Sequence, residues 1–359
     1  MNSMLVLIMA GGEGTRFWPC SRADCPKQFL NITGSRTLLQ ETAHRVLSLV
    51  GYERIFLVTG RRYYDKVREQ LPELEPSHII LEPEMRNTAP CIGLAAIYLR
   101  QIAPDETMAV LPADHIITDQ KEFLRALSAA DLMARKHSSL ITFGIVPTYP
   151  ASGYGYIHRG QIKEAVEGIE VFEVEEFVEK PSQNVAEDYL RSGNYLWNSG
   201  MFVWKISTII GMFERFMPEL YRGLEELSPL LSTPAAEDKI TQLYSAVAPI
   251  SIDYAIMEKA PQVLCVKGSF GWDDLGSWSS LGELLPGDEA GNRSQGEFVQ
   301  RDCRDNIIYS PHKPVAAIGV DNLVVVETDD VLLICHKERA QEVRELIQKL
   351  KEEGKKELL

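Results

Sequence analysis

Basic charge is in short supply in this chain. Its 37 lysines and arginines face 51 aspartates and glutamates, a formal net charge of −14. That balance excludes nucleic acid and anionic membrane as expected partners, because either calls for a basic face. Histidine is scarcer, with seven residues, and no Ser–His or Cys–His arrangement stands out. The six cysteines (Cys20, Cys25, Cys91, Cys265, Cys303 and Cys335) are scattered. Only Cys20 and Cys25 are close, and no second pair or nearby histidine completes a zinc set. Reduced thiols in a cytoplasmic setting are the plain reading. Long apolar runs are missing too. The first one, residues 4–10, has seven residues, lacks a basic leader and runs into Gly11-Gly12, so it reads as a buried strand. Nothing is low in complexity, and no repeat has solenoid spacing.

What is present is the composition of a folded protein, 45% hydrophobic and 25% charged over 359 residues. That length predicts one large domain and a small one. Apolar runs at 4–10, 54–59, 77–81, 107–111 and 139–146 predict strands. Segments of helical period at 37–50, 61–71, 88–103 and 119–137 alternate with them. Leu39, Ala43, Val46, Leu47 and Val50 form one stripe of the first helix, and Asp119 with Glu122 forms a capping box for the fourth. Such alternation predicts an α/β fold, a Rossmann-like, mostly parallel sheet flanked by helices, with ligands at the carboxyl ends of its strands. Beyond residue 150 we expect a long strand at 168–180, a helix at 182–192 capped by Ser182, a short strand at 200–205 and mostly helix over 206–260. After Pro286-Gly287 come short β-branched runs with Asp-Asn turns and a charged terminal helix over 338–351. The division expected is therefore 1–286 and 287–359. In the terminal helix Val343, Leu346, Ile347 and Leu350 share a stripe that needs a cover.

The first strand leads into Gly11-Gly12-Glu13-Gly14-Thr15-Arg16-Phe17-Trp18-Pro19, followed by Pro26-Lys27-Gln28-Phe29. Glycines at 11, 12 and 14 let backbone N–H groups approach an anion, and Arg16 and Lys27 bring positive charge beside them. Phe17 occupies the place of the third glycine of a dinucleotide fingerprint, and no P-loop Gly-Lys-Ser/Thr follows. Read alone, the string is a phosphate cradle or a plain glycine turn. Asp114, just after the strand at 107–111, lies at the edge where ligands bind and reads alone as a helix cap. His115 beside it reads as a hydrogen-bonding histidine. Glu179-Lys180-Pro181 and Asn198-Ser199-Gly200 read alone as turns, Asp253 as a helix cap, and Asn87 or Thr88 as a cap.

Taken in order, the motifs are more specific. They run through Glu82-Pro83 with Arg86-Asn87-Thr88-Ala89-Pro90, Leu111-Pro112-Ala113-Asp114-His115 and Gly153-Tyr154-Gly155-Tyr156. They continue with Phe177-Val178-Glu179-Lys180-Pro181, Trp197-Asn198-Ser199-Gly200-Met201-Phe202, Ser251-Ile252-Asp253-Tyr254 and Gly271-Trp272-Asp273-Asp274-Leu275-Gly276. This series resembles the sugar-1-phosphate nucleotidyltransferases. Trp18 and the Pro26-Lys27-Gln28-Phe29-Leu30 string resemble their mannose-1-phosphate guanylyltransferase branch. Cys20, Ser152 and Asp273 depart from its usual residues.

The resemblance implies GTP and mannose 1-phosphate as substrates, with Mg²⁺ on Asp114 and Asp274. It implies phosphate contacts from Arg16, Lys27 and Lys180, and nucleotide contacts from Gly11, Gly12, Gly14, Thr15, Glu82, Asn87 and Thr88. Glu82 would accept from guanine N1–H and N2–H₂. Gly153, Tyr154, Gly155, Glu179, Asn198 and Asp253 would meet the sugar phosphate. It further implies that 287–359 is a small β-helix-like domain able to make homodimer contacts. The alternatives are the same chemistry on another base or hexose 1-phosphate, of the uridylyl or thymidylyl type, and a non-catalytic sugar-nucleotide sensor. An added isomerase domain is not expected, since only His312 and His336 follow residue 286.

Overall fold

The computed structural model describes residues 3–12, 14–32 and 34–359. Its first half alternates β1 (Leu5–Met9), α1 (Leu38–Val50), β2 (Ile55–Gly60), α2 (Tyr64–Gln70), β3 (Ile79–Glu82), α3 (Thr88–Ile102) and β4 (Thr107–Pro112). After a two-residue β5 (Ile116–Ile117) come α4 (Gln120–His137) and β6 (Leu140–Ile145). Then follow β7 (Gly155–Val166), β8 (Ile169–Glu179), α5 (Gln183–Ser192) and β9 (Tyr195–Lys205). Three helices, α6 (Ile206–Phe216), α7 (Pro218–Leu227) and α8 (Ala236–Ala246), precede β10 (Val263–Gly268).

The chain divides into two compact units. One consists of the residues through Gly11, Thr42–Ala113 and Ile117–Trp272. It is built on a nine-stranded sheet in the order β3-β2-β1-β4-β9-β6-β10-β8-β7. The order follows from burial. β1 is apolar on both faces, so it belongs in the middle, parallel to β2 on one side and β4 on the other. β9 enters antiparallel between β4 and β6, and the direction of β4 resumes in β6 and β10. Register fixes the carboxyl edge, with Met9 beside Val58 and Pro112, and Gly60 beside Glu82. Three bonds pin it: Ala10 N to Val58 O, Ala113 N to Met9 O, and Thr59 Oγ1 to Ala10 O. Ile209, Phe213, Leu220 and Leu224 of the helical segment join the core beside α3. Their approach requires Gly93, where a Cβ would stand 2.9 Å from Leu224 Cδ1.

Expected strands and helices in the first half all form, with ends shifted by no more than three residues. Asp119 caps α4 through its bond from Glu122 N (2.9 Å). Ser182 precedes α5 without a capping bond from its side chain. The short strand expected at 200–205 is instead the long β9, because Asn198-Ser199-Gly200 is not a terminal turn. It lies inside the strand at a register shift against β6, with Gly200 at φ +68°.

The other unit consists of Gly12–Glu41, Asp114–Ile116 and Asp273–Leu359. Following the short β11 (Trp272–Asp273), α9 (Trp278–Gly282) leads to β12 (Arg293–Gln295), β13 (Phe298–Arg301) and β14 (Ile307–Tyr309). Next are β15 (Val315–Ile318), β16 (Leu323–Glu327), β17 (Leu332–His336) and α10 (Val343–Glu352). β12, β14 and β16 stack in parallel, and β13 pairs with β15 in the same sense, as in the rungs of a β-helix. Buried asparagines close the corners: Asn306 Nδ2 donates to Asn292 Oδ1 and Val320 O, both at 2.8 Å. Val343, Ile347 and Leu350 bury the stripe of α10 in a core shared with Phe17, Trp18, Trp278 and Tyr309, while Leu346 stays 38% exposed.

Trp278 is the centre of that core. It is fully buried, its Nε1 donates to Trp18 O at 3.0 Å, and its ring lies 5.0 Å from Phe17 and 5.3 Å from Tyr309. Trp278→Ala is expected to lower unfolding stability by about 3–5 kcal/mol, measured by denaturant titration. A loss below about 1 kcal/mol would mean that this core adapts to the vacancy.

Candidate active site

Three groups of predicted residues gather, one in the second unit and two in the first. In the second unit Gly14 has φ +57°, and a Cβ there would stand 2.7 Å from Lys27 N. Only glycine fits this crossing. Thr15–Phe17 follows as one helical turn carrying Arg16. The loop is tied down by Gln28 Nε2, which donates to Gly12 O at 3.0 Å, and by Ser21 Oγ, which donates to Gly14 O at 2.8 Å.

Lys27 is only 4% exposed. Its ammonium donates to Asp274 O (2.6 Å) and Leu275 O (3.0 Å) and pairs with Asp114 Oδ2 (3.0 Å). All three of its protons have acceptors within the protein. Asp114 and Asp274 are 160 residues apart in sequence, yet one cation touches the carboxylate of the first and the backbone of the second. Burial would push the Asp114 carboxyl up. Lys27, His115 and Arg16 outweigh it and hold the group below the usual range.

Around Gly276 a Cβ would stand 3.0 Å from Asp274 Oδ1 and 3.4 Å from Arg16 Nη1, so guanidinium and carboxylate converge there. Asp273 differs from its neighbour. Its Oδ1 accepts from Leu275 N at 2.6 Å, and burial, more than the charge of Asp274, raises its carboxyl to about 6. Asp273 shapes the turn in which Leu275 takes φ +47°. Among the described residues no three or more His, Cys, Asp or Glu cluster for a metal. Two carboxylates suit Mg²⁺, which completes its shell with phosphate and water.

In the first unit, Asn87 Oδ1 accepts from Thr88 N at 2.8 Å and starts α3, with Asn87 at φ +68°. Thr88 Oγ1 accepts from Ile252 N at 2.8 Å. Both side chains thus have local partners, and the cap anticipated at this point forms. Glu82 ends β3 and is buried, with Tyr244 donating to Oε1 at 2.9 Å. Its Oε2 is the nearest atom to where a Cβ on Gly11 would stand, 3.6 Å away. Burial raises the Glu82 carboxyl to about 7, against bonds from Tyr244 and Cys91 that lower it.

A second cluster of the same unit joins Gly155, Glu179, Lys180, Asn198 and Asp253. A Cβ on Gly155 would collide with Glu179 Oε2. Glu179 Oε1 pairs with Lys180 Nζ at 2.7 Å, and Lys180, at φ +49°, is largely exposed. Asn198 Oδ1 accepts from Thr142 Oγ1 (3.1 Å) and Gly200 N (3.2 Å), which turns Nδ2 to donate to Asp253 Oδ1 (3.0 Å). Burial and then the Glu179 charge raise the Asp253 carboxyl to about 6. Tyr154 packs between Trp197 and Trp272, with centroids at 5.1 and 5.4 Å. Gly153 stands in open space, where nothing would meet a Cβ.

Sequence reasoning missed Thr142 and Tyr244. Both lie among apolar neighbours and give no signal except a polar atom in a buried run.

The profile described as nucleotidyl transferase matches residues 5–290, and that of a MannoseP isomerase/GMP-like beta-helix domain matches 296–350. The chain is 41% identical over 360 residues to mannose-1-phosphate guanylyltransferase RfbM of Salmonella typhimurium (strain LT2), spanning 99% of this chain and 74% of that protein. With the mannose-1-phosphate guanylyltransferase of Salmonella muenchen it shares 40% over 362 residues, 99% of this chain and 75% of the relative. A crystal structure from Thermus thermophilus, described as a mannose-1-phosphate geranyltransferase, matches with TM-score 0.86 and 35% identity. It spans 97% of this chain and 99% of the other. Likeness over nearly the whole chain, at this level of identity, puts the protein in the nucleotidyltransferase family, in its mannose-1-phosphate guanylyltransferase branch.

Proposed function

We propose that this chain transfers the guanylyl group of GTP to mannose 1-phosphate, giving GDP-mannose and pyrophosphate. The observation that carries the reading is the convergence on Lys27 of Asp114 and the Asp274 backbone. The names of relatives at about 40% identity supply the substrates. An oxygen of the sugar phosphate attacks the α-phosphorus in line, the bond to the β-phosphate oxygen breaks, and pyrophosphate leaves. The substrate is its own nucleophile, so the protein's work is positioning and charge neutralisation.

Nucleotidyltransferases of this family generally work with a divalent metal. Asp114 and Asp274 would hold it as Mg²⁺, which would neutralise charge on the triphosphate. Gly11, Gly12, Gly14 and Thr15 receive the phosphates, with Arg16 and Lys27 beside them. Glu82 accepts from guanine N1–H and N2–H₂, next to Asn87 and Thr88. Lys180, whose exposed ammonium suits an incoming anion, meets the sugar phosphate. Glu179, Asn198 and Asp253 meet the sugar hydroxyls, and Gly153, Tyr154 and Gly155 line their surroundings. Residues 1–286 carry this chemistry and 287–359 the assembly contacts. A cytoplasmic location goes with six free cysteines. No helix among the described residues is long and apolar enough to cross a membrane.

A homodimer is favoured by one specific surface. Ile318, Leu332 and Ile334 are 74%, 58% and 57% exposed and line a single groove of about 650 Å³. Apolar side chains gathered in this way mark contact surfaces. Light scattering on the full-length protein is expected to give twice the chain mass, and Ile318→Asp with Leu332→Asp to give the monomer. A wild-type monomer at micromolar concentration would end this assignment.

Substrate choice is tested by offering each nucleoside triphosphate and each hexose 1-phosphate with Mg²⁺ and following pyrophosphate release. GTP with mannose 1-phosphate is expected to be fastest. Lys27→Ala and Lys180→Ala are each expected to lower turnover by about 10²–10³, with Lys180→Ala raising KM for the sugar phosphate more than for GTP. Asp114→Asn and Asp274→Asn are expected to abolish Mg²⁺-restored activity after chelation, while Asp273→Asn costs much less. An inactive Asp273→Asn beside an active Asp274→Asn would exchange their assignments.

A further inference from the structure

We propose that Tyr244 is a positioning residue for base recognition: from α8 it fixes the Glu82 carboxylate so that guanine is read in one orientation. This rests on Glu82 reading the base. Glu82 is the last residue of β3, at the edge where the sheet of an α/β fold presents its ligands. It is 3% exposed, too buried for water to hold its orientation. Tyr244, itself 1% exposed, donates to Oε1 at 2.9 Å. Oε2 faces the glycine loop at Gly11, a residue with no side chain to occupy that direction.

A carboxylate that receives both N1–H and N2–H₂ of guanine must keep two oxygens in the plane of the base. Rotation about its last bond would swing both out of plane. A donor fixed on one oxygen removes that rotation without using all its lone pairs, since each carboxylate oxygen offers two. Tyr244 is anchored in turn, because Ile240, Leu243 and Tyr244 pack α8 into the main core of the unit. The helical segment 206–246 thereby acquires a part in specificity although it carries none of the signature motifs.

Among the described residues, the titratable groups facing Glu82 are Tyr244 on α8 and Cys91 on α3; Gly11 faces it from the loop after β1. Both donors favour the ionised form, and burial opposes them. The sign of the pH effect follows. Guanine binding through two acceptors requires ionised Glu82, so GTP affinity is full above the carboxyl's pKa and falls as pH drops through about 7. Removing the tyrosine hydroxyl takes a donor from the ionised form and moves that midpoint upward.

The test uses the full-length protein with Tyr244→Phe and Glu82→Gln, each checked for folding by circular dichroism and thermal melting. GTP and ITP are compared, because inosine keeps N1–H and lacks the 2-amino group. Tyr244→Phe is expected to raise KM for GTP about tenfold, the usual weight of one hydrogen bond to a charged group. It should narrow the preference for GTP over ITP, shift the pH midpoint of GTP binding upward and leave KM for mannose 1-phosphate unchanged. Glu82→Gln is expected to lose the preference and the pH midpoint together. If Glu82→Gln behaves in that way and Tyr244→Phe changes only the melting temperature, Tyr244 is a structural link and the inference fails alone. If Glu82→Gln leaves both preference and midpoint intact, the base-reading role of Glu82 fails, and with it the role of Tyr244.

Discussion

A buried ammonium must find all its acceptors inside the protein, and in the second unit that requirement sets the local structure around Lys27. Leaving one of its protons unmet would cost several kcal/mol. The three acceptors come from Asp114 and from the carbonyls of Asp274 and Leu275. Those carbonyls face one point only because Leu275 adopts a left-handed conformation, and Asp273 holds it there through the Leu275 amide. The backbone of Lys27 lies so close to Gly14 that no other residue fits. Glycine loop, acidic turn and the segment after β4 are thus stitched by one cation.

Charge around the carboxylates sorts them into two kinds. Asp114 faces Lys27 and Arg16, which with His115 hold its carboxyl below the usual range against its burial. Glu82 and Asp253 are buried without a cation of comparable strength, and their carboxyls rise to about 7 and about 6. The first kind suits a group that must carry fixed negative charge. The second suits groups that exchange hydrogen bonds with neutral partners, such as an amide, a phenol, a base edge or a sugar hydroxyl.

The sheet's parallel side was legible because β1 to β4 and their helices have clean periods, and apolar runs buried on both faces leave no ambiguity. β7 and β10 were not foreseen. β7 pairs with β8 through several register shifts, which break the alternation that a sequence reader relies on. β9 was read as too short because Asn198-Ser199-Gly200 has the composition of a turn, while it is a register shift inside the strand that turns Asn198 toward Asp253. Gly14, Asn87, Lys180 and Leu275 of the motifs each sit at a backbone irregularity, where a residue signature marks the sequence. Tyr244 and Thr142 sit in regular elements, where a polar atom in a buried row leaves no such mark.

The second unit is assembled from three stretches of chain that are far apart in sequence. Trp18 Nε1 donates to Leu358 O at 2.6 Å, closing a loop of 340 residues. During synthesis the nine-stranded sheet can collapse as soon as β10 has emerged from the ribosome. The glycine loop is made early, yet it has no core to pack on until Trp278, the β-rungs and α10 follow. Late closure of so long a loop is slow and leaves apolar surface waiting. Among the parts of this unit, then, the oldest piece of the nascent chain waits longest for its core, and the Lys27 cluster cannot assemble before Leu275 has been made.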